Sequence, residues 1–230
     1  MQTLDVIAHI RTDFSSKFGI PRQSGLIDAL KGEIVFTEKY RDASALRGIE
    51  GYSHLWLIWQ FSESVTERFS PTVKPPRLGG NRRMGVFATR SPFRPNPLGL
   101  SCVKLEGVEL STPNGPVLHV AGADLLNGTP IYDIKPYLPY VDSHPDARGG
   151  FTDGIDYARL RVDFPEALLN RIPPEKREAL IEVLAQDPRP GYRHNGDERR
   201  YGVEFAGYDV RFTVDGDTLS VVEIEALHEK

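Results

Sequence analysis

Residues 71–101 read PTVKPPRLGGNRRMGVFATRSPFRPNPLGLS and contain six of the 18 prolines of the chain. Proline fixes φ and lacks an N–H donor, so a regular helix is excluded here. A strand is possible only over a short piece such as MGVFAT, residues 84–89. The pattern therefore predicts a rigid, irregular loop. A loop of this length inside a compact domain is usually either functional or disordered, and the prolines beside Phe93 and Leu98 favour order.

The same region is the most basic part of the chain, and we call residues 68–104 the basic island. It contains no Asp or Glu and eight cations, which are Arg68, Lys74, Arg77, Arg82, Arg83, Arg90, Arg94 and Lys104. Without these eight, 20 Lys and Arg remain against 32 Asp and Glu, so a formal net charge of −4 conceals a strongly acidic remainder. Clustered cations attract polyanions, although a solvated basic surface is the simpler alternative.

Composition excludes several classes of protein. The 230 residues are 40% hydrophobic, enough for one large domain or two small ones. The longest apolar run is LWLIW at 55–59, far below the roughly 18 residues of a membrane span. The N-terminus lacks the form of a signal peptide, which predicts a cytoplasmic protein. The histidines and the single Cys102 show no metal-ligand spacing, and the common glycine-rich nucleotide motifs are absent.

The remaining chain is typical of a mainly β protein. Alternating or branched apolar residues predict strands at 3–12, 33–37, 52–61, 98–110 and 117–126. Composition shifts at residues 144–154, which predicts a linker. A strand near 157–164, a helix over EKREALIEVLAQ and a three-stranded meander follow, so the chain is predicted to close with a small α+β unit.

Polar residues with constrained backbones mark four further places. Pro21, Arg22 and Gln23 lie in a loop, and Ser62 and Glu63 follow the strand at 52–61. Asn127-Gly128 begins a turn before a run that contains Asp133, Lys135 and Tyr137. Two prolines then hold Asp187, Arg189 and Tyr192 after the helix. Each feature alone is more often an ordinary turn than a site.

Taken together, five segments resemble the TsaA-like family, also called the TrmO family, of S-adenosylmethionine-dependent tRNA methyltransferases. They are PRQ at 21–23, SHLW at 53–56, the quoted stretch at 71–101, GTPIYDIKPYLPY at 128–140 and AQDPRPGYR at 185–193. The segments occur in the family's order and span both halves of the chain.

The resemblance implies an N-terminal β-barrel at residues 1–148 and an α+β C-terminal domain at residues 149–230. It also implies S-adenosylmethionine as cofactor, tRNA as partner and a homodimer. The family's acceptor is N6 of threonylcarbamoyladenosine next to the anticodon. A β-barrel fold is consistent with the absence of the glycine-rich motif by which doubly wound α/β folds bind dinucleotides.

The family's cofactor contacts can be placed on this sequence. They correspond to Pro21, Arg22, Gln23, Ser62, Glu63, Arg90, Leu100, Asn127, Gly128, Thr129 and Pro130. Asn127 departs from the family, which commonly has Asp there. If the Asp acts through its charge, that role is absent here. If backbone atoms make the contact, nothing changes.

Methyl transfer from a sulfonium is an in-line displacement that needs no metal, so the protein mainly positions two partners. Arg90 or Arg22 suits the cofactor carboxylate. Asp133 or Asp187 is predicted to assist loss of the N6 proton. Residues predicted to position the modified base are Lys135, Tyr137, Arg189 and Tyr192. Residues predicted to hold tRNA phosphates are Lys74, Arg77, Arg82, Arg83 and Arg94.

Two other functions fit the same residues. A non-catalytic RNA-binding protein would use the basic island and no cofactor, so S-adenosylmethionine would not raise its melting temperature. A methyltransferase for another acceptor would share the cofactor site, and sequence alone does not separate it from the first function.

Overall fold

The computed structural model describes residues 3–64, 68–75, 82–154, 159–189 and 199–227. Its strands are β1 (Ala8–Arg11), β2 (Lys31–Phe36), β3 (His54–Gln60), β4 (Thr72–Val73), β5 (Met84–Gly85), β6 (Leu98–Glu109), β7 (Val117–Ala121), β8 (Pro130–Pro136), β9 (Arg161–Asp163), β10 (Tyr201–Phe205), β11 (Tyr208–Asp215) and β12 (Thr218–Ala226). Its α-helices are α1 (Pro139–Asp142), α2 (Glu166–Leu169) and α3 (Pro174–Ala185). The mainly β prediction is confirmed.

The N-terminal part forms a closed barrel with the strand order β1-β2-β7-β6-β3-β8. The alternation that predicted β3 also sets its orientation, because Leu55, Leu57 and Trp59 point into the barrel while their neighbours lie half-buried outside. Closure between β1 and β8 pairs Ala8 with Ile131 and His9 with Pro130. All of these barrel pairings are antiparallel.

Three barrel strands differ from their predictions. β7 ends at Ala121 rather than at residue 126. β1 begins at Ala8 rather than at residue 3, and Leu4 is 57% exposed outside the core. Asn127-Gly128 and Pro130 predict turn-rich chain, yet residues Pro130–Pro136 form β8. These prolines occupy its first and last positions, where a missing N–H is tolerated.

The basic island is mostly irregular where the structure describes it, as predicted. β4 and β5 form a small two-stranded sheet in which Thr72 pairs with Gly85 and Val73 with Met84. A short 3-10 helix, Val86–Ala88, follows directly. The strand expected within MGVFAT is therefore limited to its first two residues.

The C-terminal unit, residues 159–189 and 199–227, has a four-stranded sheet in the order β10-β11-β12-β9. β10, β11 and β12 form the predicted antiparallel meander, and β9 joins it in parallel. α3 buries Leu180, Val183 and Leu184 in the same core as this sheet. The predicted helix and α+β unit are confirmed.

The loop between β1 and β2 connects the two cores. Phe14, Ile27 and Leu30 come from the loop between β1 and β2, yet they pack in the core of the C-terminal unit. We call residues 12–30 the β1–β2 loop. Its apolar side chains therefore tie the N-terminal barrel to the C-terminal sheet.

The described residues lack membrane-spanning helices and metal-binding clusters. None of the helices there is long and apolar enough to cross a membrane. No group of three or more His, Cys, Asp or Glu side chains in that part of the chain is placed to hold a metal ion.

Candidate active site

The β1–β2 loop carries Pro21, Arg22 and Gln23. Pro21 is buried, whereas Arg22 is exposed. The side-chain amide of Gln23 donates to the carbonyl of Arg22, and its oxygen accepts a hydrogen bond from the guanidinium of Arg90. Two separate parts of the predicted cofactor site, the PRQ segment and Arg90 of the basic island, therefore meet.

Ser24 fixes the same loop to the barrel. Its hydroxyl accepts a hydrogen bond from the backbone N–H of Cys102 at 3.0 Å. Its backbone also contacts the carboxylate of Asp124. Nearby, the N–H of Gly25 donates to the carbonyl of Gly122 at 2.9 Å. The PRQ segment is thus held against β6 and the chain after β7.

Ser62 and Glu63 are exposed in a 3-10 turn directly after β3. The ammonium of Lys17 donates to the carbonyl of Glu63 at 2.6 Å and lies 3.3 Å from its carboxylate. Lys17 belongs to the β1–β2 loop. The loop therefore also reaches this predicted cofactor contact.

The turn from Asn127 to Pro130 lies beside the first residues of the loop. The side-chain oxygen of Asn127 accepts from the N–H of Thr12 at 3.1 Å, and its own N–H donates to the carbonyl of Phe14 at 2.9 Å. Gly128 has φ +79° and donates to the carbonyl of Ile10 at 2.8 Å. Asp could accept the same bond from Thr12, so this contact does not require the family's charge.

Leu100 lies on the outer face of β6 and is 57% exposed. The residues on either side of it point inward. At Gly99 a Cβ atom would stand 2.2 Å from the indole ring of Trp59, so only glycine allows this packing. The indole N–H of Trp59 donates to Ser101 Oγ at 2.9 Å, and Ser101 Oγ donates to Asp124 Oδ1 at 2.6 Å.

This series of hydrogen bonds ends at the carboxylate of Asp124, which also contacts the backbone of Ser24, the residue after the PRQ segment. Burial raises the pKa of the Asp124 carboxyl, and the hydrogen bond from Ser101, the positive charge of Arg90 and the backbone of Ser24 oppose that rise. Asp124 is therefore a second charged group, beside Arg90, in the predicted cofactor region.

Because the pKa of Asp124 is raised, this residue makes the free energy of unfolding depend on pH. The folded chain binds this proton more tightly than the unfolded chain, so the ionised carboxylate lowers stability at neutral pH. That cost disappears as the pH falls through the raised pKa. We expect the free energy of unfolding of the unaltered chain to rise relative to that of Asp124→Asn between pH 7 and about 4.

Urea unfolding of both proteins across this pH range measures the difference. Asp28→Asn, at an exposed position, controls for the loss of a carboxylate. A difference between Asp124→Asn and the unaltered chain that stays constant with pH would contradict the prediction.

The predicted substrate-positioning residues of β8 lie on the outside of the barrel. Asp133 pairs with Lys135, with Oδ2 and Nζ 2.9 Å apart, and the two side chains are 45% and 62% exposed. Just after β8, the ring of Tyr137 lies 5.7 Å from that of Trp56 and 6.1 Å from that of His54. Asp133 is thus accessible to a large partner.

Asp187 and Arg189 lie in the C-terminal unit after α3. Asp187 has φ +51°, and its carboxylate accepts bonds from Nε and Nη2 of Arg189 at 2.8 and 2.9 Å. The guanidinium side chain is buried, with 8% exposed. This pairing indicates a structural role for Asp187 at least as strongly as a catalytic one. Tyr192 falls outside the described residues.

The cations predicted to bind tRNA differ in their surroundings. Lys74, Arg82 and Arg83 are exposed, and Arg83 Nε donates to Thr72 Oγ1 at 2.8 Å. Arg94 is half-buried and donates to the carbonyls of its own loop, the nearer at 3.1 Å. Arg77 falls outside the described residues.

Lys17, Ser24, Ser101 and Asp124 are not among the site residues predicted from sequence. The sequence does contain a pattern that could have identified Ser101 as a buried polar residue. Ser101 occupies an inward position of the alternating strand 98–110, where a polar side chain needs a buried partner. The sequence carries no comparable signal for the other three, because distant chain segments bring them into the site.

Comparison with known proteins adds the family. Residues 9–143 match the tRNA-methyltransferase O N-terminal domain, and residues 157–227 match the TrmO C-terminal domain. A protein of Escherichia coli named tRNA (adenine(37)-N6)-methyltransferase is 41% identical over 227 residues, which cover 95% of this chain and 96% of that protein.

A curated protein and a crystal structure from Pseudomonas aeruginosa are also similar to this chain. The protein, named putative S-adenosylmethionine-dependent methyltransferase RcsF, is 41% identical and covers 90% of each chain. The crystal structure of TrmO from Pseudomonas aeruginosa superposes with a TM-score of 0.79 and 34% sequence identity, covering 98% of this chain and 99% of that one. The chain therefore belongs to the TrmO family.

Proposed function

We propose that this chain is a methyltransferase that transfers a methyl group from S-adenosylmethionine to N6 of the adenosine at position 37 of tRNA. The observation that carries the proposal is that the β1–β2 loop, which contains the PRQ segment, also contacts Arg90, Glu63 and the turn at 127–130. The name of the Escherichia coli relative supplies the acceptor. We further propose that the adenosine already carries the threonylcarbamoyl group, which is the acceptor that the family resemblance implies.

The side chains around the β1–β2 loop suit this cofactor. S-adenosylmethionine supplies an activated methyl group on a sulfonium sulfur, and it carries a carboxylate and an ammonium group. A guanidinium offers five N–H donors in a fork that matches a carboxylate, and one donor of Arg90 goes to Gln23. The buried carboxylate of Asp124 suits a cationic part of the cofactor.

The acceptor nitrogen must lose a proton as it forms its bond to the methyl carbon and the carbon–sulfur bond breaks. In a threonylcarbamoyl adenosine this nitrogen is urea-like, so a nearby carboxylate can assist. Asp133 is the better placed of the two predicted bases, because it is half-exposed on the barrel and its ion-pair partner Lys135 is itself 62% exposed. Its other oxygen accepts a hydrogen bond from the N–H of Ile134 at 2.9 Å. Unchanged turnover of Asp133→Ala at saturating tRNA would remove this assignment.

The basic island supplies a surface for the anticodon loop. Its exposed aromatic rings Phe69 and Phe87 are stacked with their centroids 6.4 Å apart, and Phe93 is 53% exposed. Unpaired RNA bases stack on aromatic rings, and phosphates pair with the cations between them. Lys74, Arg82 and Arg83 are accessible for that purpose.

Reversing two of these charges is expected to weaken tRNA binding selectively. Arg82→Glu with Arg83→Glu removes two phosphate contacts and adds repulsion, so we expect a loss of about tenfold or more in tRNA affinity, larger at low salt. Cofactor affinity is expected to change by less than twofold. Filter binding and calorimetry measure the two. Equal losses of both affinities, or loss of neither, would contradict the assignment.

The direct experiment transfers labelled methyl from S-adenosylmethionine to tRNA from cells that lack this enzyme. A parallel reaction uses tRNA without the threonylcarbamoyl group. Label only in the first tRNA supports the full proposal, whereas equal label in both assigns a different acceptor. No label, together with no cofactor binding, would favour the non-catalytic RNA-binding function.

We also propose that the chain acts as a cytoplasmic homodimer with a domain boundary after residue 148. Exposed apolar residues outside the basic island support an interface, since Tyr140 is 82% and Val141 48% exposed. The tRNA substrate supports the location. A sedimentation mass of one 25.8 kDa chain would contradict the dimer, and limited proteolysis locates the boundary.

A further inference from the structure

The β1–β2 loop has one side packed in the C-terminal unit. Phe14 is 1% exposed, and its ring meets that of Phe205 edge-on with the centroids 5.4 Å apart. Gly19 approaches β10 so closely that a Cβ atom would stand 2.7 Å from the side chain of Val203. Ile27 and Leu30 lie in the same core.

Polar contacts to the same unit surround this apolar contact. Asp13 Oδ2 pairs with Nζ of Lys176 at 2.7 Å, and both side chains are largely buried at 15% and 29% exposed. The backbone carbonyl of Asp13 accepts from the N–H of Ala206 at 2.8 Å. Ser15 Oγ donates to Glu204 at 2.8 Å. Most of these partners belong to β10 or to the turn after it.

The other side of the loop makes the contacts of the candidate active site. Lys17 holds Glu63, Gln23 holds Arg90, and Ser24 meets β6 and Asp124. The loop itself forms no regular helix or strand. Its position therefore depends on contacts at both sides, and β10 with α3 supplies the fixed support on the side away from the site.

We infer that the C-terminal unit positions the cofactor-binding loop, so that Phe205 and Lys176 set the affinity for S-adenosylmethionine without touching it. This inference rests on the proposed function. A loop that is held in its binding conformation before the ligand arrives loses less conformational freedom on binding. Small displacements of positioning groups far from the chemistry have large effects.

Two core variants separate this role from general stability. Phe205→Ala removes the ring against Phe14, whereas Leu219→Ala opens a cavity at a fully buried position on β12, two strands away in the sheet. Calorimetry with S-adenosylmethionine, at a temperature where circular dichroism shows both variants folded, measures the dissociation constant. We expect Phe205→Ala to bind about tenfold more weakly. Leu219→Ala is expected to stay within twofold of the unaltered chain.

The ion pair gives a second test that does not disturb the core. Asp13→Lys and Lys176→Asp are each expected to weaken cofactor binding and to speed amide hydrogen exchange in residues 14–24. The double variant restores the pair with its charges exchanged, so it is expected to recover both properties. A purely structural pair would change the melting temperature without changing cofactor affinity.

The outcomes are distinct. If the unaltered chain binds no S-adenosylmethionine, the proposed function fails and this inference fails with it. If the unaltered chain binds and both Phe205→Ala and Lys176→Asp bind equally well, the inference alone is overturned. Equal weakening by Phe205→Ala and Leu219→Ala would also overturn it, because the effect would then follow core stability.

Discussion

Replacement of Arg90 by alanine is expected to weaken S-adenosylmethionine binding by about 2–3 kcal/mol, or roughly 30- to 150-fold in Kd. The guanidinium is exposed and is joined to Gln23, so it stands where the PRQ segment meets the basic island. In the proposed site Arg90 makes a charge-assisted bond to the cofactor carboxylate, which the variant would lose, and Gln23 loses its partner as well.

Arg90→Lys and Lys104→Ala are the matched controls. Arg90→Lys keeps the charge but not the planar fork, so its affinity is expected to lie between those of the unaltered chain and Arg90→Ala. Lys104→Ala removes the same charge from an exposed position of β6 and is expected to leave cofactor affinity unchanged. Calorimetry measures all three. Similar losses in Arg90→Ala and Lys104→Ala would show only a general charge effect.

The barrel strands with clear alternation could be predicted from sequence. β3 and β6 begin and end within two residues of their predicted bounds, because one face of each packs inward and period-two patterning follows from that geometry. β8 could not be predicted in the same way. Prolines at its ends are typical of turns, and only pairing with β1 and β3, both distant in sequence, makes it a strand.

The candidate site was predictable only where its residues belong to a recognisable motif. Gln23 and Arg90 are 67 positions apart, yet the family resemblance predicts that both contact one cofactor, and their side chains are hydrogen-bonded. Asp124 follows a buried strand and carries no motif. Its burial depends on Ser24 and Ser101, which approach it from two other segments.

The β1–β2 loop shows a further limit of sequence reasoning. Phe14, Ile27 and Leu30 are recognisable as apolar residues within a loop, but a sequence pattern does not say which core they join. Here they join the core of the C-terminal unit, more than 120 residues away along the chain. The predicted linker at 144–154 therefore separates two units that are already tied together near the N-terminus.

Replacement of Asp187 by alanine is expected to lower the free energy of unfolding by about 2–3 kcal/mol. The variant removes two charge-assisted bonds to the buried guanidinium of Arg189. It also places alanine at φ +51°, in the left-handed region that Asp and Asn tolerate better. Asp187→Asn is expected to lose less stability, because it keeps the preferred backbone and one acceptor oxygen. Urea unfolding measures both variants.

Turnover of the same two proteins decides the function of Asp187. If this carboxylate takes the N6 proton, Asp187→Asn loses most of its turnover at saturating tRNA while remaining largely folded. If its function is to hold Arg189, turnover of Asp187→Asn stays within a fewfold of the unaltered chain and follows stability across the series. An alanine variant as stable as the unaltered chain would show that the ion pair contributes little to the fold. We expect the second pattern, because Asp187 pairs through both oxygens with a guanidinium that is 8% exposed, whereas Asp133 is half-exposed and pairs with Lys135, which is 62% exposed.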